Sequence, residues 1–218
     1  MNRNKRIQFR LGLSLLLAFG LWTVLVCTVD RQPIGPEGTS VGFAAMNGFV
    51  HRIIGFHRRL YDLTDILGLC TLGFVLGFAV LGLVQLIRRK GLCRVDRSIL
   101  VLGGFYAVVL AAYLLFEAAA LNYRPVLAEG KLEASYPSST TLLALCILPT
   151  AMMQLKDRIQ APLLRTAVLL LLGVFTALLV IGRLLSGVHW LSDIIGGMLL
   201  SGGLDLLYAR FAENPPGK

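Results

Sequence analysis

The sequence predicts an all-α integral membrane protein, with six transmembrane helices in one bundle and a short amphipathic helix between the first and the second. Two observations lead to this fold class. Of the 218 residues, 56% are hydrophobic and only 15% are charged, whereas about a quarter of the residues in a typical soluble domain are charged. Several segments are also apolar over roughly 20 residues, the length that a helix needs to cross a bilayer. Residues 1–218 therefore form a single predicted membrane-embedded domain.

The predicted spans follow one another as apolar segments separated by polar connections. The first comes after the basic run MNRNKR, and its length favours a retained helix over a cleaved signal peptide. The next connection begins rich in Pro and Gly and then mixes apolar residues with Arg and His in MNGFVHRIIGFHRRLYD, which is typical of an amphipathic helix on a membrane surface. The six predicted helices cover about residues 9–29, 63–87, 98–119, 138–155, 163–184 and 189–209.

The distribution of basic residues predicts the orientation of this bundle. A net charge of +9 could indicate a nucleic-acid partner, but the basic residues cluster at the ends of apolar segments, as topology signals do. With six spans, the N-terminal run and the basic connections after the second and fourth helices lie on one side. We therefore expect a multi-pass protein of the cell membrane, with both termini in the cytoplasm and no nucleic-acid partner.

The stretch GRLLSGVHWLSDIIGG places three ionisable side chains within apolar sequence, where such residues are functional candidates. His189 and Asp193 are four residues apart, so on a helix they lie one turn from each other on one face. A carboxylate there can orient the imidazole and make it a nucleophile or a base. Arg183 precedes His189 by six residues and can present its guanidinium group to an anion such as phosphate.

A second polar group lies in ALNYRPVLAEGKLEASYPSSTTLL, which the predicted topology places at the same outer face. Arg124 follows the third predicted helix, while Ser138, Ser139 and Thr140 lead into the fourth. Free backbone N–H groups at a helix start, helped by the helix dipole, form an anion site. Ordinary capping of the helix by Ser138 or Ser139 explains the same residues equally well.

Taken in order, the sequences RP, PSST and GRLLSGVHWLSD resemble the three-motif signature of the type 2 phosphatidic acid phosphatase family of membrane lipid phosphatases. The family motifs read Lys-x6-Arg-Pro, Pro-Ser-Gly-His and Ser-Arg-x5-His-x3-Asp. The resemblance implies that His189 attacks phosphorus and becomes a phosphohistidine. It also implies that Asp193 orients this histidine.

The same resemblance implies a phosphate-binding set. Arg124 and Arg183 match the two arginines that hold the phosphoryl oxygens in the family. Ser138 and the backbone amides that follow it, at Ser139 and Thr140, would complete the phosphate site. No metal and no cofactor are expected.

Four positions depart from the family pattern. Glu117 stands where the first motif has lysine, Ser139 and Thr140 replace the Gly and His of the second, and Gly182 replaces the Ser that opens the third. The missing His protonates the leaving oxygen in the family, and loss of a general acid typically lowers the rate by about 10²–10⁴-fold. Glu117 could pair with Arg124 on the same helix face, meet a cationic substrate group, or act as the acid if apolar surroundings keep it protonated.

These features predict a membrane lipid phosphatase that hydrolyses a phosphomonoester or pyrophosphate. Candidate substrates are phosphatidic acid, phosphatidylglycerol phosphate and a polyprenyl pyrophosphate, and phosphoryl transfer to an acceptor other than water is a related possibility. The alternative is a non-catalytic protein that binds a lipid head group, and a transporter is disfavoured because no inverted repeat is visible. His51 and His57, the other histidines, are interpreted as contacts to anionic head groups.

Overall fold

The chain is folded into α-helices joined by short connections. The computed structural model describes residues 3–128 and 130–212, apart from the side chain of Asn4. Two isolated β-bridges and two short 3₁₀ turns, Pro36–Gly38 and Leu92–Arg94, lie in the connections. The α-helices of the described residues are α1 Arg3–Thr28, α2 Ala44–Ile54, α3 Arg58–Arg89, α4 Arg97–Ala119, α5 Ser139–Arg158, α6 Pro162–Leu185 and α7 Leu191–Ala212.

Five of these helices are long and apolar enough to cross a membrane: α1, α3, α4, α6 and α7. Each overlaps one of the predicted spans. The structure extends α3 at both ends, and α1 begins at Arg3, earlier than predicted.

The fourth predicted span, residues 138–155, corresponds to α5, which is 20 residues long and less apolar than the other five helices. This helix packs against α3, α4, α6 and α7. Its buried side chains include Thr141, Thr150 and Gln154. Thr150 Oγ1 donates a hydrogen bond to the Cys146 carbonyl at 2.6 Å, so a polar side chain is satisfied inside the bundle. Because α5 is packed against four other helices, its surface need not be as apolar as that of a helix in contact with lipid. That α5 crosses the membrane stays a prediction.

The helix α2 occupies the segment that was predicted to be amphipathic. Ala44 and Asn47, three residues apart, are buried, whereas Phe49 and Ile53 are 58% and 70% exposed. Apolar residues on an exposed face suit contact with a bilayer surface. The position of α2 on the membrane remains a prediction.

Close packing between α5 and α7 brings the starts of these two helices together. The adjacent Gly196 and Gly197 lie on the buried side of α7. A Cβ on Gly196 would come within 2.6 Å of the Tyr136 ring, and one on Gly197 within 3.1 Å of Thr141. Small residues let backbones approach closely, and here they place the beginning of α5 beside Asp193 in the first turn of α7.

Three connections meet at this end of the bundle: α2–α3, α4–α5 and α6–α7. The His57 N–H donates to the carbonyl of Ser186 at 3.0 Å. Next to it, Gly187 has a φ of +69°, and a Cβ there would overlap the carbonyl oxygen of Gly55. Only glycine fits such a left-handed position in close contact with another backbone. The α2–α3 connection is therefore seated on the turn that carries His189.

Candidate active site

His189 lies in the turn between α6 and α7, and its side chain is 1% exposed. Its Nδ1 is 3.8 Å from Asp193 Oδ2, and neither ring nitrogen makes a hydrogen bond of good geometry among the described residues, although the Ser135 backbone lies beside the ring. Burial, and then the positive charges of Arg183 and Arg124, hold the pKa of the imidazole well below its ordinary 6.5. The ring is therefore neutral at neutral pH, with a nitrogen lone pair available to attack an electrophile.

Asp193 is fully buried and holds the start of α7 as well as facing His189. Its Oδ2 accepts the backbone N–H of Trp190 at 3.0 Å. Its Oδ1 accepts from Asn122 Nδ2 and from Ser192 Oγ, both at 3.4 Å. A side chain in the third helical position that bonds back to the cap N–H is half of a capping box. The i, i+4 spacing predicted the pairing with His189, but it gave no sign of this capping role.

The polar support of Asp193 reaches into α2. Asn47 Nδ2 donates to Ser192 Oγ at 2.9 Å, and Asn47 Oδ1 accepts the Ser192 N–H at 3.1 Å. Sequence reasoning missed Asn47, Asn122 and Ser192, because each is an ordinary polar residue until the fold brings it to the carboxylate. The hydrogen bonds that Asp193 accepts from Trp190, Asn122 and Ser192 hold the carboxylate in one orientation.

The two predicted phosphate-binding arginines lie close together, and each is paired with a carboxylate. Arg183 is 1% exposed, with Nη1 3.5 Å from Asp65 Oδ1 and 3.4 Å from Thr64 Oγ1. Arg124 Nη1 is 3.0 Å from Glu133 Oε2. Among the described residues, the buried Nε of each arginine has no hydrogen-bond partner. Unsatisfied buried donors are costly, so this cluster is suited to an anion that accepts from both.

Tyr61 of α3 lies between these arginines and was not predicted. The guanidinium carbons of Arg183 and Arg124 are 5.0 and 5.8 Å from the centre of its ring, and that of Arg58 is 5.6 Å away. Arg124 Nη1 also donates to the Tyr61 hydroxyl at 3.4 Å. A guanidinium group within about 6 Å of an aromatic ring is attracted by its quadrupole. The ring therefore helps to hold both candidate phosphate ligands.

The second-motif residues point in different directions. Ser138 caps α5: its Oγ accepts the Thr141 N–H at 3.4 Å, and its own N–H donates to the Asp193 carbonyl at 3.1 Å. The capping interpretation therefore holds for the Ser138 side chain. Ser139 lines a small cavity beside α4. The Thr140 methyl packs against α3, where a Cβ on Gly68 would come within 2.9 Å of it.

Glu117 lies on the exposed face of the last turn of α4 and lines the same small cavity as Ser139. The predicted pairing of Glu117 with Arg124 on one helix face is wrong. The helix ends at Ala119, since Ala120 takes a left-handed φ of 42°, and Arg124 then pairs with Glu133 in the loop. A helical register cannot be extended past a residue that reverses the backbone.

The other two histidines make contacts away from the arginines. His57 Nε2 is 2.8 Å from the Ile54 carbonyl in its own connection. The His51 ring centre is 5.4 Å from that of Trp190, and burial lowers the pKa of His51. The interpretation of His51 as a head-group contact is therefore disfavoured, because its ring packs against the protein.

Comparison with known proteins shows similarity in sequence family and in fold. The model of the PAP2 superfamily matches residues 104–215, just over half of the 218 residues. The fold is similar to the crystal structure of a transmembrane PAP2-type phosphatidylglycerolphosphate phosphatase from Bacillus subtilis, with a TM-score of 0.65, 19% identity, and coverage of 92% of this chain and 94% of that one. No curated protein sequence is significantly similar to this chain.

Proposed function

The chain belongs to the PAP2 superfamily of membrane phosphatases, and from this premise we propose that it cleaves a phosphomonoester or pyrophosphate of a lipid through a phosphohistidine at His189. One observation carries the proposal. The two ring nitrogens of His189 and the Nε atoms of Arg124 and Arg183 are buried and lack hydrogen-bond partners among the described residues. A phosphoryl group among them would accept from both guanidinium groups while facing the imidazole.

In the proposed reaction each residue has one task. The neutral imidazole of His189 attacks phosphorus, and Asp193 is the positioning residue that holds this ring and stabilises the positive charge that forms on it. Arg124 and Arg183 neutralise charge on the phosphoryl oxygens as the transition state forms. The amides at the start of α5, at Ser139 and Thr140, would add donors from a helix N-terminus. No step requires a metal ion.

The substrate class follows from the missing acid. Thr140 presents a methyl group to α3 where the family has a histidine, so a substrate whose leaving group needs little protonation is favoured. A pyrophosphate fits this requirement because its leaving group is a phosphate. Phosphatidylglycerol phosphate is retained because the structurally similar Bacillus protein is named a phosphatidylglycerolphosphate phosphatase, and phosphatidic acid because of the family resemblance.

The second candidate function is head-group binding without turnover. The packed methyl group of Thr140 favours it, because a protein that has lost its acid can still bind the anion. The placement of His189 argues the other way, since capping α7 does not by itself require an imidazole 3.8 Å from the capping carboxylate.

Phosphate release by the purified protein in detergent tests the proposal. The lipids are phosphatidic acid, phosphatidylglycerol phosphate and undecaprenyl pyrophosphate, and the variants are His189→Ala and, as a matched loss of histidine outside the site, His57→Ala. We expect release that disappears in the first variant and persists in the second. No release from any lipid by a folded wild-type protein that still binds one of them would establish the binding function instead.

We further propose that the site faces the outside of the cell, as the basic connections predict. In a background without the four cysteines, single cysteines replacing Gly130 and Asp157 lie at opposite ends of the bundle. We expect an impermeant thiol reagent added to intact cells to label position 130 and not position 157. The reverse pattern would place the site on the cytoplasmic face.

A further inference from the structure

The site contains an unassigned proton donor between its two arginines. We propose that Tyr61 is a catalytic residue, the general acid that protonates the leaving oxygen in place of the second-motif histidine. This inference rests on the proposed phosphatase function. It deepens that function by giving the chain a way to cleave a phosphomonoester despite Thr140.

Position is the first support for this role. Tyr61 is 5% exposed and lies in the first turn of α3, where its N–H donates to the His57 carbonyl at 2.9 Å. Arg183 and Arg124 stand 5.0 and 5.8 Å from its ring centre. A phosphoryl group held by both guanidinium groups would therefore have the phenol beside it.

The hydrogen bonding of the hydroxyl is the second support. Arg124 Nη1 donates to the Tyr61 oxygen at 3.4 Å, so the oxygen acts as the acceptor in that bond. This arrangement leaves the proton of the hydroxyl for a different acceptor. The two neighbouring guanidinium groups also place positive charge where transfer of this proton leaves negative charge.

The other candidates fit the role less well. Asp65 and Glu133 are ion-paired with Arg183 and Arg124, and an ionised carboxylate only accepts hydrogen bonds. Glu117 lies on the exposed side of α4, across the small cavity that it shares with Ser139. The two remaining histidines pack against Trp190 and the Ile54 carbonyl. In the described part of the chain, Tyr61 is the neutral donor that contacts both arginines.

The proposed step balances without another reactant. As a His189 nitrogen forms a bond to phosphorus, the bond from phosphorus to the leaving oxygen breaks, and the Tyr61 proton passes to that oxygen. The phenolate then takes a proton from the water that attacks the phosphohistidine. The nitrogen–phosphorus bond breaks, inorganic phosphate leaves, and both His189 and Tyr61 return to their starting states.

The test compares leaving groups in Tyr61→Phe, which keeps the aromatic face for the arginines and removes only the hydroxyl. Phosphatidic acid releases a basic alkoxide oxygen, whereas undecaprenyl pyrophosphate and p-nitrophenyl phosphate release weakly basic groups. We expect kcat on phosphatidic acid to fall by about 10²–10⁴-fold, with less than a tenfold change on the weakly basic leaving groups. Tyr106→Phe is the matched control, because its hydroxyl lies 3.2 Å from Thr150 in the bundle interior.

Each outcome decides a separate point. Equal losses on all substrates would make Tyr61 a positioning residue for the arginines, and no loss would remove it from the reaction; either result overturns the inference while wild-type turnover upholds the phosphatase. No turnover by the wild type on any substrate would overturn the phosphatase and the inference together.

Discussion

Replacing Asp193 with Asn tests whether one carboxylate both caps α7 and positions His189. The backbone N–H of Trp190 approaches one oxygen at 3.0 Å, and Asn122 Nδ2 and Ser192 Oγ approach the other at 3.4 Å. Both oxygens therefore accept. An amide offers one oxygen and one NH₂ group, so in either orientation the NH₂ group faces the Trp190 or the Asn122 donor.

The magnitudes follow from this mismatch. A buried donor left without an acceptor costs about 1–3 kcal/mol, so we expect Asp193→Asn to lower the free energy of unfolding in detergent by that amount. Turning the amide also moves the group that faces His189, and a misplacement of about 1 Å costs about 10²-fold in rate. Denaturant unfolding and phosphate release measure the two effects on the same preparation.

The matched control is Asp205→Asn on the same helix. Asp205 Oδ1 is buried and has no hydrogen-bond partner among the described residues, so an amide there opposes no donor that the carboxylate had bound. We expect wild-type turnover in this variant. An Asp193→Asn protein as stable and as active as the wild type would refute the reasoning, while lost stability with full turnover would restrict Asp193 to capping.

Three further predictions concern the turn, the pH dependence and Glu117. Gly187→Ala should abolish turnover and lower the melting temperature, because its Cβ would overlap the Gly55 carbonyl. The control Gly38→Ala, at a φ of +75° in open space, should lose only about 1–2 kcal/mol of stability, the strain of a left-handed residue. Equal effects of the two variants on the melting temperature would contradict the overlap. Since the pKa of His189 in the folded protein lies well below 6.5, kcat/KM should persist as the pH falls through 6.5, and a loss of kcat/KM at that pH would contradict the lowered pKa. The free energy of unfolding should fall below pH 6.5, because only the unfolded chain gains a proton on this histidine there. His189→Asn should weaken this dependence of stability on pH. Glu117→Gln should retain turnover if Tyr61 is the general acid. A variant that no longer releases phosphate from phosphatidic acid but still cleaves the substrates with weakly basic leaving groups would identify Glu117 as the acid instead.

The sequence predicted the elements whose signal is local. Apolar length identified five helices that the structure shows to be long and apolar enough to cross a membrane, and the spacing of Arg183, His189 and Asp193 identified one end of the bundle as the candidate site. The relation of Glu117 to Arg124 was harder, because placing both on one helix face extended α4 past a residue with a left-handed backbone. Hydropathy and spacing depend on which residue types follow one another along the chain. A single left-handed backbone angle changes the direction of the chain without changing either signal.

The residues that the sequence could not identify are those that depend on contacts between distant segments. Tyr61 is separated from Arg124 and Arg183 by whole helices, and in sequence it is one aromatic residue in a mixed basic and apolar segment. Asn47 reaches the first turn of α7 only because α2 folds back onto it. A search for charged residues within apolar stretches does not find such neutral side chains, although Asn47 supports the helix start that carries Asp193, and Tyr61 contacts the two arginines.

Under the proposed function, the ion pairs would keep the site stable before substrate arrives and still let its arginines turn to a phosphate. A buried guanidinium group left unpaired is strongly destabilising, and Asp65 and Glu133 prevent that. In each pair the carboxylate is the more exposed partner: Arg183 is 1% exposed against 47% for Asp65, and Arg124 is 13% exposed against 30% for Glu133. An incoming phosphoryl group can therefore displace the carboxylate towards the surface, while the guanidinium stays fixed on the Tyr61 ring. In the proposed reaction the exchange would replace one anion by another without moving the guanidinium groups that would stabilise the transition state.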